Sequence, residues 1–245
     1  MASFRRGKWM SDQHDAHYGR GWKTHRLLWW SATRRFKNAV RARASRSLDV
    51  YQFGVYTGGS MAGIARNIPG FGTLWGFDSF TGLPAETPGQ ALEGAHWRPG
   101  GFSSADALGE YRRDELFSRL RRTIARRDGN VSFVPGYYNE SLTTSLLRER
   151  AFQPALLIDV DVDLHSSTVD CLSWLIESRL LVPATFVRYD DWRRERQNWG
   201  EGRAHADVSR RYNLTWQRIS QKEFQLLAVG DAGPRAPIPL IPYIK

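Results

Sequence analysis

The sequence predicts an α/β fold: a Rossmann-like, mostly parallel seven-stranded sheet with helices on both faces and an antiparallel C-terminal strand. Three observations carry the prediction. From about Ser47 onward, short β-rich runs alternate with helical stretches. The residues with distinctive chemistry fall at or just after the ends of those runs, where open α/β sheets bind ligands. Two of the runs end in acid: LLIDVDVDLHSST, Leu156 to Thr168, carries Asp159, Asp161 and Asp163, and VRYDDW, Val187 to Trp192, carries Asp190 and Asp191.

Taken in order, residues 1–48 read as a basic, Trp-rich arm and helix. Leu27, Leu28, Trp29, Trp30, Phe36 and Val40 form an apolar stripe at roughly helical spacing. SLDVYQFGVY is the first strand, running into a Gly-rich turn, and Ser60–Asn67 is a helix. TLWGFDSF is the second strand. Glu86–Gly101 is a Gly- and Pro-rich loop, followed by a long amphipathic helix over Ala105–Arg127. NVSFVPG is the third strand and Leu142–Arg150 a short helix. PALLIDVDV is the fourth strand, Ser167–Ser178 the next helix, and ATFVRYDD the fifth strand. Ala204–Arg211 is helical, and LTWQRI and EFQLLAVG are a final antiparallel pair. Residues 49–232 form the main domain, and the Pro-rich tail from Gly233 is extended.

At 245 residues, with 41% apolar residues and ten Trp, the chain can bury a sizeable core. No apolar window is long enough for a transmembrane helix. The opening MASFRRGKWMSDQHD has no apolar signal-peptide core. Its arginines suit a transit peptide, but Asp12 and Asp15 weigh against one. The single Cys171 excludes an intramolecular disulfide and fits a reducing, cytoplasmic setting. The net charge of +10 is spread over Arg5–Lys8, Arg34–Arg46, Arg112–Arg127 and Arg193–Arg211, which favours attraction to an acidic partner over a groove reader of nucleic acid.

Five carboxylates at the ends of two hydrophobic strands repel one another. A period of two places Asp159, Asp161 and Asp163 on one face of the fourth strand. A hard divalent cation with oxygen ligands is the simplest compensation; the competing reading is helix caps or exposed strand ends. The first strand ends in Gly54-Val-Tyr-Thr-Gly58-Gly59-Ser60, a turn through which a ligand can approach a helix N-terminus. Its GxxxGG spacing departs from the GxGxxG of dinucleotide binders. Asp78 ends the second strand, where an acid can accept hydrogen bonds from ribose hydroxyls. A nucleoside-bearing cofactor without a pyrophosphate cradle points to S-adenosylmethionine.

GVYTGGSMAGIA, WGFDSFTGLP, PGYYNESL, DVDLHSST and YDDW together resemble the macrocin O-methyltransferase group, metal-dependent class I S-adenosylmethionine methyltransferases acting on sugar hydroxyls. The resemblance spans roughly Tyr51 to Arg211. It implies that Gln52, Gly54, Tyr56, Gly58 and Ser60 line the methionine end of the cofactor, with Asp78, Ser79 and Phe80 at the ribose and Gly136 and Tyr137 near the adenine. It places Asp161, Asp190 and Asp191 on a Mg²⁺ ion, with Asp161 also beside the cofactor. Asp163 becomes the general base. His165, counted with it as catalytic, either positions the acceptor or donates to a ligand of the ion, against the competing reading of a purely structural histidine. The loop with Trp97 and Phe102 resembles the group's lid. Three positions depart from the pattern: Gln52 replaces a Glu, His165 a Tyr, and Asp159 a His. The acceptor is expected to be a sugar-bearing small molecule or glycan with a vicinal diol.

His14 and His17 lack a fourth metal ligand and read as solvated. Cys171 reads as a buried, inert thiol. Trp192 and Trp199 suit either a sugar face or the core, and Arg193, Arg194 and Arg196 either an acidic substrate or solvent. The Trp-rich arm is a candidate homo-oligomer interface. Two other functions compete with methyl transfer to a small acceptor: a non-catalytic descendant, suggested by Gln52 and His165, and a nucleic-acid methyltransferase, suggested by charge.

Overall fold

The structure, a computed structural model, describes residues 30–86, 97–192 and 199–230. The His14/His17 pair, the Arg193–Arg196 cluster, the Pro-rich tail and most of the arm lie outside the described residues.

Helix α1 (Arg34–Arg43) precedes strand β1 (Asp49–Phe53), helix α2 (Gly59–Asn67) and strand β2 (Leu74–Asp78). Helices α3 (Ser104–Leu108) and α4 (Arg113–Ile124) lead to β3 (Val131–Pro135). Next come α5 (Tyr138–Ser141), α6 (Thr144–Glu149), β4 (Ala155–Val160), α7 (His165–Glu177) and β5 (Phe186–Tyr189). The described part closes with α8 (Gly200–Arg211), β6 (Leu214–Arg218) and β7 (Glu223–Val229). The sheet order is β3-β2-β1-β4-β5-β7-β6. Strand β7 runs antiparallel to both of its neighbours, and every other pairing is parallel. This is the seven-stranded architecture expected from the sequence.

Alternation along the strands builds two cores. Tyr51, Phe53, Phe77, Ile158, Val187 and Tyr189 face α7 and α8, whereas Val50, Leu74 and Phe186 face α1, α2 and α4. Buried Asp49 ties the opposite end of the sheet from the ligand side. It accepts from Thr73 N–H (2.6 Å), the Trp75 indole (2.8 Å) and Gln153 N–H (3.0 Å). Of the arm's apolar stripe, Trp30, Phe36 and Val40 are buried on the sheet. Thr33 caps α1 and also bonds the Glu223 carboxylate through its N–H and hydroxyl, both at 2.6 Å.

Several boundaries differ from the sequence reading. The long helix over 105–127 is two helices, because Gly109 takes a left-handed φ of 62° and ends α3. Helix α8 begins at Gly200 rather than Ala204, which brings Glu201 into the fold's interior. Asp159, Asp161 and Asp163 do not share one strand face, because β4 ends at Val160 and a turn follows.

Trp192, Trp216, Phe224 and Tyr189 surround His205, whose Nδ1 meets Tyr189 Oη at 2.9 Å. Trp192 is partly buried and packs against the core. Burial, helped by Arg218, lowers the His205 pKa to about 4. The unfolded chain protonates this histidine near its ordinary value of about 6.5 while the folded chain does not. The fold thus loses stability as pH falls from about 6.5 to about 4, by up to roughly 1.4 kcal/mol per unit. Urea unfolding at pH 7, 6, 5 and 4.5 is expected to show wild type losing about 2.4 kcal/mol more than His205→Phe from pH 7 to 4.5; parallel pH profiles would refute the assignment.

Candidate active site

The carboxyl ends of β1, β2, β4 and β5 converge on one site. At β1, Gly54 has φ 84°, and a Cβ built there would lie 1.8 Å from the Asp161 carbonyl oxygen. Only glycine lets this turn rest on the backbone that carries the acidic motif. Gly58 (φ 81°) precedes α2 without a side-chain cap, so the first N–H groups of that helix, including Ser60, face the ligand end.

Asp78 builds the turn as well as facing it. Its Oδ2 accepts from Val55 N–H (2.7 Å) and Tyr56 N–H (3.1 Å), and its Oδ1 from Phe80 N–H (2.7 Å). Burial raises its pKa and these backbone bonds oppose the rise. Ser79 closes the following turn by donating to Gly82 C=O at 2.7 Å. Phe80 corrects the sequence reading: its ring is fully buried against Phe117 and Phe133, so it anchors the core and offers the site only backbone. Tyr56 sets its ring edge-on to Phe102 at 6.0 Å. Gly136 N–H bonds Asp78 C=O at 3.0 Å, and Tyr137 Oη lies 3.5 Å from Thr81 Oγ1, so the β3 end joins the same rim. Gln52 is fully buried one step below, donating to Gly54 C=O at 3.0 Å; its Oε1 has no partner among the described residues.

The acidic half sits at the ends of β4 and β5. Asp163 is the centre of a three-residue turn, at φ 60°, closed by Leu164 N–H on Val162 C=O at 2.6 Å. A non-glycine residue held there stores about 1–3 kcal/mol of strain. Its Oδ1 accepts from the Trp97 indole at 2.7 Å, and its carboxyl is in hydrogen-bond contact with that of Asp191. Burial first, then neighbouring carboxylates, push the pKa values of Asp161 and Asp163 well above the ordinary range. The sequence reading missed Glu201. This buried side chain accepts Val162 N–H through Oε1 (3.1 Å) and Asp191 N–H through Oε2 (3.0 Å), so one carboxyl clamps both acidic loops. Burial, Asp191 and Asp161 raise its pKa too. Gly200 lies just before it, where a Cβ would sit 2.9 Å from Asp163 C=O.

Among the described residues, two cations meet this acid. Arg188, 1% exposed on β5, donates Nη1 to Asp159 (2.8 Å) and Nη2 to Asp190 (2.6 Å) and Ser31 (2.9 Å). Lys222 Nζ reaches Asp190 at 3.0 Å. Asp159 is thus an internal ion-pair partner, also bonded by the Trp30 indole at 3.3 Å, rather than a further metal ligand. Its neighbours hold Asp190 ionised, with a lowered pKa, against its burial. His165 takes the placement of a structural histidine: its Nε2 meets Asp207 Oδ2 at 3.1 Å in the contact between α7 and α8. Arg203 and Arg210 hold the same Asp207.

The donor set suits a hard cation. Oxygen ligands dominate, and two carboxyls in contact require a proton or an ion between them. Among the described residues no three acidic, His or Cys side chains already enclose an ion-sized space, and one oxygen of Asp190 is engaged by Arg188 and Lys222.

A sheet of this order with its site at the strand ends is the fold of a class I methyltransferase. The structure of CalS11, a calicheamicin methyltransferase, shares the fold at TM-score 0.59 and 18% identity, over 85% of this chain and 80% of that one. The O-methyltransferase NovP matches at TM-score 0.52 and 18% identity, over 78% and 77%. No curated protein sequence matches significantly. The family model for macrocin-O-methyltransferase (TylF) matches residues 35–210, and the chain belongs to that family. It is a S-adenosylmethionine-dependent O-methyltransferase.

Two substitutions test the geometry. Arg188→Met leaves buried Asp159 unpaired and is expected to cost about 3–5 kcal/mol in urea unfolding, most of it recovered by adding Asp159→Leu. Glu201→Gln turns an amide N–H toward one of the two backbone donors, so a loss of about 1–3 kcal/mol is expected. Unchanged stability in Glu201→Gln would refute the clamp.

Proposed function

We propose that this enzyme methylates a hydroxyl of a sugar-bearing acceptor with help from Mg²⁺. The observation that carries the proposal is the contact of Gly54 with the Asp161 backbone. It joins the cofactor turn to the acidic loop, so methyl donor and base act within one small volume. Gly54, Tyr56, Gly58 and Ser60 face the methionine end of S-adenosylmethionine, with Gln52 bracing the turn from below. Asp78 offers the remaining acceptor direction of Oδ1 to a ribose hydroxyl, beside Ser79, while Gly136 and Tyr137 border the adenine.

Asp161, Asp191 and the second oxygen of Asp190 would hold Mg²⁺, which supplies Lewis acidity toward an acceptor hydroxyl and its neighbour. Asp163 takes the hydroxyl proton as the oxygen attacks the sulfonium methyl in line. Its strained turn fixes the carboxyl, and the Trp97 indole bonds the oxygen next to the one that works. His165 acts at a distance, through the α7–α8 contact that sets α8 and hence Glu201.

Calorimetric titration with S-adenosylmethionine, with Mg²⁺ and with EDTA, followed by Mg²⁺ alone, tests the reading. Asp161→Ala is expected to abolish the Mg²⁺ signal. Asp163→Asn is expected to keep both ligands and lose about 10²–10⁴-fold in turnover. An Asp163→Asn enzyme with wild-type rate would remove the base assignment.

A further inference from the structure

Among the described residues, Asp190 is the member of the acidic cluster that two cations hold on a single oxygen. Arg188 Nη2 and Lys222 Nζ both donate to its Oδ1, at 2.6 Å and 3.0 Å. The two donors differ in what else they do, and the difference gives Lys222 a role of its own.

Arg188 cannot leave. It is 1% exposed, and its guanidinium also donates to Asp159 at 2.8 Å and to Ser31 Oγ at 2.9 Å. Among the described residues Asp159 has no other cationic partner. Moving the guanidinium would strand a buried carboxylate, which is strongly unfavourable. Arg188 also makes the shorter bond to Asp190, so it fixes that carboxyl without help.

Lys222 can leave. Its side chain is 25% exposed, and among the described residues Asp190 is its only carboxylate partner. Its other acceptor is the Asp190 backbone carbonyl, at 3.2 Å. An ammonium on a long flexible stem is well hydrated, so turning it out to water costs little. The backbone that carries it is held independently. Tyr189 N–H donates to Lys222 C=O at 3.0 Å, and Ile219 N–H donates to Glu223 C=O at 2.8 Å across the β6–β7 turn. Arg218 braces the same turn by donating to the Ser220 and Gln221 carbonyls. The turn therefore keeps its place when the Lys222 side chain moves.

With Mg²⁺ on the second oxygen of Asp190, ion and ammonium would share one carboxylate. Like charges that close repel, and the mobile one yields. We infer that Lys222 is a tethered counter-ion of the metal site: its ammonium neutralises Asp190 in the ion-free protein, and a divalent cation drives it off the carboxylate into water. The inference rests on the Mg²⁺ reading above and assigns the residue that sets the affinity of that site. Affinity for a hard cation follows the net charge of its ligands, so Lys222 holds it below what the three aspartates alone would give. A lysine that only braced the end of β5 would act with the opposite sign: its loss would loosen Asp190 and weaken the ion.

The test is calorimetric titration of the full chain with Mg²⁺ alone. Lys222→Met and Lys222→Gln remove the charge by two chemistries, so the test survives if one of them fails to fold. Lys222→Arg keeps the charge. Arg150→Met, at an exposed position just after α6 and toward the opposite end of the sheet, controls for net charge. The two neutral variants are expected to bind Mg²⁺ about tenfold more tightly than wild type, with Lys222→Arg and Arg150→Met close to wild type. Lysine acetylation read by peptide mass spectrometry is the second measurement. Lys222 is expected to react several-fold faster in saturating Mg²⁺ than in EDTA, with Lys37 on α1 as the internal reference. Mg²⁺ binding by the neutral variants that is equal to or weaker than wild type would overturn the inference and leave the Mg²⁺ reading standing, as would Lys222 acetylation indifferent to Mg²⁺. Absence of Mg²⁺ binding from wild type and both neutral variants would overturn the Mg²⁺ reading, and this inference with it.

Discussion

Everything at the ligand end of this protein depends on holding mutually repelling carboxylates in place. Asp161, Asp163, Asp190 and Asp191 come from two neighbouring strand ends, and buried Glu201 adds a fifth acid. Left to electrostatics, the two loops would separate. They stay together because Glu201 spends its oxygens on backbone N–H groups, one from each loop. A carboxyl that clamps by accepting from main chain, rather than by pairing with a cation, holds the two loops by their backbone. Beneath it, Arg188 and Lys222 neutralise Asp159 and Asp190 from the protein side.

The same economy appears in the cofactor half. Asp78 holds three backbone N–H groups from two different turns, so the β1 turn and the β2 turn form one unit. Gly54 then lays that unit on the Asp161 carbonyl. A displacement at either half is transmitted to the other through packed backbone. That is the condition for a transfer reaction in which donor and base must be aligned to within a fraction of an ångström.

The parts of this arrangement that sequence could show are those with a periodic or punctuated signal. Strand alternation, the Gly-rich turn and the two acidic strand ends are all local, and the structure places them together at one end of the sheet. What stayed hidden depends on long-range contact. Glu201 reads as one more acid ahead of the helix expected from Ala204, because its two partners lie 39 and 10 residues away. Arg188 reads as a stray charge in an apolar strand until β4 brings Asp159 beside it. Phe80 and His165 sit inside motifs that attract a ligand role, yet one ring turns into the core and the other into a helix contact. A signal for Arg188 did exist: a cation inside a fully buried strand demands a buried acid, and Asp159 was the unexplained acid on the neighbouring strand.

The charge balance of the cluster also bears on how an ion would enter. Among the described residues, counting Asp159 and Glu201, six carboxyls face two cations, Arg188 and Lys222. Asp161, Asp163 and Glu201 respond with raised pKa values, burial being the largest cause in each. Protons on these groups relieve the repulsion that a divalent ion would otherwise relieve, so ion and protons compete for the same oxygens. Rising pH strips the protons, strengthens the repulsion and increases the demand for a cation. Because these pKa values are raised, the ion-free fold loses stability as pH rises through them, opposite to a carboxylate of lowered pKa, whose stabilisation is lost as pH falls. With Arg188 and Lys222 already on one oxygen of Asp190, the oxygens left to answer that demand are chiefly those of Asp161 and Asp191 and the second oxygen of Asp190, and the Gly54 turn rests on the backbone of the first of these.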